Sequence, residues 1–168
     1  MTIERDFKMV VPVGQMTGED DEETEQLRVM LQEARAYLLS FQWCLGISRE
    51  FFGLGIGGVA CVFLFELKAP SGVDNVLWVV VGDLPSAYLV ADQADNPCAA
   101  LRVYCDLMEE WVRAVRLGRS LSGVFPVTAP ATEQNARLLE KKIAFLRNEV
   151  LPAFSSSGGS KTMNSSLE

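Results

Sequence analysis

Histidine is absent from the 168 residues. Its absence removes Ser–His and Cys–His nucleophilic pairs, imidazole general bases and histidine-containing zinc sites. Catalysis by carboxylate, lysine or tyrosine survives that exclusion. The four cysteines, Cys44, Cys61, Cys98 and Cys105, form no C-x-x-C pair, so neither a zinc knuckle nor a thioredoxin-like motif is present. Each lies in an apolar context where cysteine acts as a small hydrophobe. Cys98 and Cys105 are seven apart and would share a helix face. Buried reduced thiols are the expectation, which suits a cytoplasmic address.

Positive charge is also scarce, with 15 Lys and Arg against 22 Asp and Glu and a net charge of −7. Phosphate recognition needs a basic footprint, so nucleic acid is not an expected partner. A protein with a basic or neutral surface is the more natural one. Nor is there a membrane-spanning run. The charge-free stretch 51–65 would reach only about 22 Å as a helix, against a hydrocarbon core of ~30 Å. Its glycines make it a poor helix in any case. The start, Met1 to Phe7, is acidic where a secretion signal is basic, and no apolar segment follows; a cytoplasmic protein without a membrane partner is expected.

What is present suits one domain. The length can bury a core without staples. The hydrophobic fraction is 49% and the mean hydropathy +0.16, a surplus that suggests surface covered by a partner. Residues 1–18 read as an N-terminal arm, with Phe7 to Val13 a short edge strand limited by Pro12. Residues 19–154 read as the domain. The Ser- and Gly-rich residues 155–168 read as a disordered tail.

Within the domain, the acidic run 19–25 suits the positive end of a helix dipole. The helix it opens is expected from about Glu22 to Leu45, with Leu27, Leu31, Ala34, Leu38, Phe41 and Leu45 as its apolar seam. Such a seam packs on the protein's own sheet or zips to a second copy. Strands are expected over 59–65, Val76 to Val81 and Ala87 to Val90. The short loops 69–74 and 82–85 between them force antiparallel pairing. Asn96 and Pro97 open a second helix, ended before Gly118, whose face is built by Leu101, Tyr104, Cys105, Met108, Trp111, Val112 and Val115. Glu109 and Arg113 are placed to pair across one turn. Val124 to Val127 is a candidate docked edge. Thr132 caps a last helix that Pro152 should stop. The fold class is therefore α+β: an antiparallel three- to four-stranded meander with three main helices, in the order α-β-β-β-α-α.

Chemistry-bearing constellations are few. Gly53, Gly55 and Gly58 spell a G-x-G-x-x-G, but a helix precedes it and a β-rich segment follows. Phosphate binding requires the opposite context, so a flexible turn is expected. Asp83 and Asp92 fall at opposite ends of two strands, too far apart for a glycosidase pair. Asp92, Asp95 and Asn96 offer too few oxygens for a calcium loop. Glu66 ends an apolar strand, either half-buried against a cation or, as favoured, emerging at the strand end. Arg113, Arg116 and Arg119 crowd a helix carboxyl end, where cations are favourable without any ligand. Phe51 and Phe52, with Leu54, flank the glycine turn and are the candidate partner-binding residues, taken to be exposed. No catalytic, metal or cofactor residue is assigned.

The run Leu77 to Val90, followed by the helix from Leu101 to Val115, resembles a family of small bacterial proteins with no assigned activity. The resemblance covers about residues 30–150 and implies a bacterial cytosolic source; it transfers no catalytic residue. The function expected is a non-enzymatic protein-binding module, such as an immunity-type inhibitor of a toxin or a chaperone for a secreted effector. Secretion chaperones resemble the chain in size, acidity and helix–meander–helix order, though no strand pair separates its last two helices. The alternatives are a small-ligand binder or carboxylate enzyme, and a structural homodimer.

Overall fold

The computed structural model describes residues 9–157. Its sheet comprises β1 (Val11–Pro12), β2 (Gly46–Ile56), β3 (Ala60–Lys68), β4 (Val76–Gly82) and β5 (Ala87–Val90). All neighbours are antiparallel, and the spatial order follows the chain. Helices α1 (Asp21–Leu39), α2 (Pro97–Arg116) and α3 (Glu133–Phe145) complete the fold, and α3 continues through a wide turn, Leu146–Val150, into α4 (Leu151–Ser157). The chain is thus α+β with an antiparallel meander, as its patterning predicts.

Local chemistry fixes the helix starts. The Asp20 carboxylate accepts the Glu23 N–H at 2.8 Å, and the Glu23 carboxylate accepts the Glu19 N–H at 2.8 Å. This pair satisfies the Glu23 donor that the helix start leaves over and ties the residue before the cap to the first turn. The other Glu23 oxygen accepts the Gly57 N–H at 3.0 Å, so the acidic run also ties α1 to the β2–β3 turn. Asn96 caps α2 through the Ala99 N–H, and Thr132 caps α3 through the Asn135 N–H.

The two sheet faces carry separate cores. On one, Leu27, Leu31, Ala34 and Leu38 of α1 meet Phe63, Phe65 and Val79. On the other, Leu101, Tyr104, Cys105 and Met108 of α2 meet Val62, Leu64, Trp78 and Val80. The Trp78 indole donates to the Ala94 carbonyl at 2.9 Å, pinning the segment that leads into α2. The seam of α1 is therefore internal, and a zipper between two copies through it is overturned.

Four further expectations are corrected. Of the glycine run, Gly57 and Gly58 do form a turn, Gly58 with φ +76°, but Gly53 and Gly55 belong to the second half of β2, a strand the sequence reading lacked, and so the sheet has five strands. A Cβ at Gly53 would lie 2.8 Å from Pro97 of α2, and one at Gly55 would lie 2.9 Å from Leu27 of α1. One glycine thus admits a helix to each face. Second, α1 ends at Leu39, leaving Phe41 and Leu45 in the turn before β2. Third, Pro152 does not stop the last helix. The wide turn before it re-registers the backbone bonding, and Pro152 then sits in the first turn of α4, where a missing N–H costs little. Ser155 to Ser157 are consequently helical, while residues 158–168 of the expected tail lie outside the described residues. Fourth, Val124, Phe125 and Val127 pack on the α2-side core without forming a strand. At the other end, Phe7 and Lys8 of the expected edge strand lie outside the described residues, and β1 reduces to Val11 and Pro12.

All four cysteines are free and buried. Burial pushes the Cys61 thiol well up and the Cys105 thiol from 9.0 to about 12; it also pushes Tyr37 from 10.0 to about 12. Each group keeps its proton in the fold where the unfolded chain would release it. Their contribution is full below pH 9 and is lost as pH rises from 9 to about 12. Urea midpoints should hold between pH 7 and 9 and fall steadily above; a flat midpoint to pH 11 would refute the burial of these groups.

Candidate functional site

The three residues singled out as partner anchors are placed differently from expectation. Phe52 and Leu54 are each 1% exposed, on opposite sides of the sheet. The irregularity between Phe52 and Leu54 in the β2–β3 register sends both Gly53 and Leu54 towards α2. Neither residue can anchor a partner, because both fill core. Phe51 is half-buried and pairs with Pro12 of β1.

Phe51 belongs instead to a charged constellation. Glu66 shares the α2-side face with Leu64 and is opposed by Arg49 on β2 and Val76 on β4. Its side chain is 4% exposed, and Arg49 Nε reaches Oε1 at 2.6 Å from a side chain 45% exposed. The guanidinium also stands 5.7 Å from the centre of the Phe51 ring, a cation–π distance. Glu66 Oε2 has no hydrogen-bond partner among the described residues. The expectation that Glu66 emerges at the strand end is therefore overturned: β3 runs two residues past it, and Arg49 covers it. Arg35 and Glu50 make a similar bridge from α1 to β2 on the other face, at 2.5 and 2.6 Å.

The loop carboxylates do not converge. Asp83 meets Lys142 of α3 at 3.3 Å, and Asp95 accepts from the Asn96 side-chain amide at 3.0 Å. Asp92 lies in the short turn after β5, at the other end of that strand from Asp83. Among the described residues no group of three or more Cys, Asp or Glu is placed to hold a metal ion. Likewise, no helix is long and apolar enough to cross a membrane.

A patch that sequence reading missed lies where α1 ends beside the edge strand β5. Tyr37, Phe41, Trp43 and Tyr88 are all half-buried and mutually packed. Phe41 stacks on Trp43 at 5.1 Å and meets Tyr88 edge-on at 5.3 Å, while Trp43 meets Tyr88 at 5.2 Å and Tyr37 meets Phe41 at 5.2 Å. Such arrangements are favourable beyond simple burial. Leu39 and Leu45, on either side of Phe41 and Trp43 in the chain, are 53% and 65% exposed. The signal was present in the sequence, but extending α1 to Leu45 had placed Phe41 on a core-facing seam.

The other layer is clamped by arginines. Arg147, in the wide turn, bridges to Glu109 at 2.7 and 3.0 Å and to Asp106 at 2.7 Å on α2. These carboxylates hold its guanidinium firmly protonated. Arg116 of α2 reaches Glu140 at 2.7 Å and Glu133 at 3.3 Å on α3. Glu109 thus pairs with Arg147 of the wide turn after α3 rather than with Arg113.

Arg49→Ala leaves the buried Glu66 carboxylate without its cation, and a loss of about 3 kcal/mol of stability is expected. Glu66→Gln in the same background should recover much of it, so the double-mutant cycle measured by urea unfolding should show strong coupling. Additive effects would refute the pairing.

No family model, curated protein or solved structure matches the chain.

Proposed function

We propose that the chain is a non-enzymatic protein-binding module that docks a partner on the aromatic patch of Tyr37, Phe41, Trp43 and Tyr88. The carrying observation is the patch itself. Four half-buried rings meet beside exposed leucines, at a sheet edge. Buried aromatic anchors dominate interface energies, and aromatic enrichment marks interface cores. An edge strand also presents backbone groups that a partner can pair with.

Charge supports a partner with a basic or neutral surface. Residues 19–45, which build the layer over one sheet face, hold seven acids against two arginines. Residues 97–154, which build the other, hold six acids against eight bases. The aromatic patch lies on the acidic side. A basic partner would therefore be steered to it, and raising salt would slow the encounter. An immunity-type inhibitor of a toxin fits this reading better than a secretion-effector chaperone, since residues 117–132 between α2 and α3 form no strand. The buried free thiols suit a reducing, cytoplasmic setting, and the resemblance noted above suits a bacterial one. A homodimer through the same patch is the second form of the reading.

The test compares the wild-type chain with a Phe41→Ala/Trp43→Ala variant as baits in native lysate, then with the recovered partner purified. Far-ultraviolet circular dichroism confirms that the variant folds. Wild type should hold one stoichiometric partner at low salt and release it at high salt, and the variant should bind at least ~10-fold more weakly. Equal binding by the two, or an inert monomer throughout, would defeat the proposal. A concentration-dependent dimer abolished in the variant would make the partner a second copy.

A further inference from the structure

One flank of α1 continues the aromatic patch along the helix. Glu22, Gln26, Val29, Glu33 and Tyr37 follow one another at steps of four, three, four and four residues, so they share one side of α1. Tyr37 meets Tyr88 of β5 at 6.3 Å, which turns this flank towards the β5 edge. The first four of these residues are exposed, Val29 by 53%. Both arginines of α1 lie on the opposite flank, in line with Gln32 and Leu39. There Arg28 bridges to Glu25 at 3.3 Å and Arg35 to Glu50 of β2.

The width of the sheet leaves room for a second helix on this side. Five strands spread over roughly 20 Å, whereas one helix is about 10 Å across. Among the described residues α1 is the one long helix over this face, and towards β5 the cover thins to the four half-buried rings. From Glu22 to Tyr37 the flank runs about 22 Å, or roughly four helical turns. A strand added to β5 fits less well. β5 has four residues, and alternate residues of an antiparallel edge turn their N–H and C=O groups outward, so about two could pair. A helix packed beside α1 would instead reach Val29 as well as the rings.

Charge sets the character of that helix. Glu22 and Glu33 stand on the flank, Asp92 directly follows β5, and Lys68, at the end of β3, lies beside Gly46 of β2. Asp83 in the β4–β5 turn is already met by Lys142. Three acids thus border the surface against one base, and neither Glu22 nor Glu33 is in an ion pair among the described residues. Exposed faces of Trp and Tyr rings also attract cations. We infer that the partner presents a basic amphipathic helix, which lies beside α1 with its apolar stripe on Val29 and the four rings and its Lys or Arg residues against Glu22 and Glu33. The inference rests on the docking patch proposed above and adds the partner's secondary structure and charge.

The test is selection on the immobilised full chain from a display library of peptides about 18 residues long, five helical turns. Four classes compete: helical or alternating apolar pattern, each with lysine or with glutamate at the polar positions. The basic helical class should be enriched at least ~10-fold over each of the others. Its binders should weaken by about the same factor on Phe41→Ala/Trp43→Ala. Glu22→Gln/Glu33→Gln changes only exposed side chains; it should leave the fold intact, weaken these binders several-fold and flatten their salt dependence. Enrichment of alternating or acidic peptides that depend on Phe41 and Trp43 would overturn the inference while leaving the docking patch in place. Basic helices bound equally well by Glu22→Gln/Glu33→Gln would also overturn it. Binders of every class that ignore Phe41→Ala/Trp43→Ala, or no binders at all, would sink the patch and the inference together.

Discussion

The structure depends on one strand being dry on both sides. Eight of the nine residues of β3 are buried, and the strand lies between β2 and β4. A sheet with such a centre must be covered twice. That requirement commits the apolar seam of α1 to one face and that of α2 to the other, so neither seam remains for a partner chain. It also explains the glycines of β2, since each helix approaches that strand closely where a side chain is missing.

With both faces covered, the aromatic patch lies where one layer ends. At the end of α1 the chain turns into β2, and Phe41 and Trp43 fold back over Tyr37 and Tyr88. On the other side α3 packs chiefly against α2 rather than the sheet, and arginine–carboxylate bridges hold the two helices together at a distance that leaves a groove. Exposed bridges of this kind contribute little to stability one by one. Their consequence is geometric, because they fix guanidinium groups in place. The patch and the groove thus follow from the same layering.

Much of this was legible from residue order. The caps at Asn96 and Thr132, the turn at 82–85, the edge position of Pro12 and the apolar face of α2 follow from local rules and reappear in the structure. β2 was hidden because glycine weakens strand propensity. The reason for the glycines, the approach of Pro97 and Leu27, is a contact between segments far apart in the chain. Long-range pairing likewise hid the fate of Glu66, because nothing local indicated that Arg49 would reach from β2 to cover it. The anchors Phe52 and Leu54 were misread with β2, since residues beside a turn are exposed and residues inside a covered strand are not. Pro152 misled for a related reason, because a wide turn that absorbs a missing donor leaves no mark in residue type.

The central claim is that sheet and covering helices form one cooperative unit organised by β3. Native-state hydrogen exchange measured residue by residue tests it most directly. The account predicts that amides of Val62 to Phe65, of Leu77 to Val80, and of the buried turns of α1 and α2 exchange only through a common global opening. If α1 exchanged through a separate opening of much lower free energy, with β3 still protected, the two-sided constraint would be contradicted.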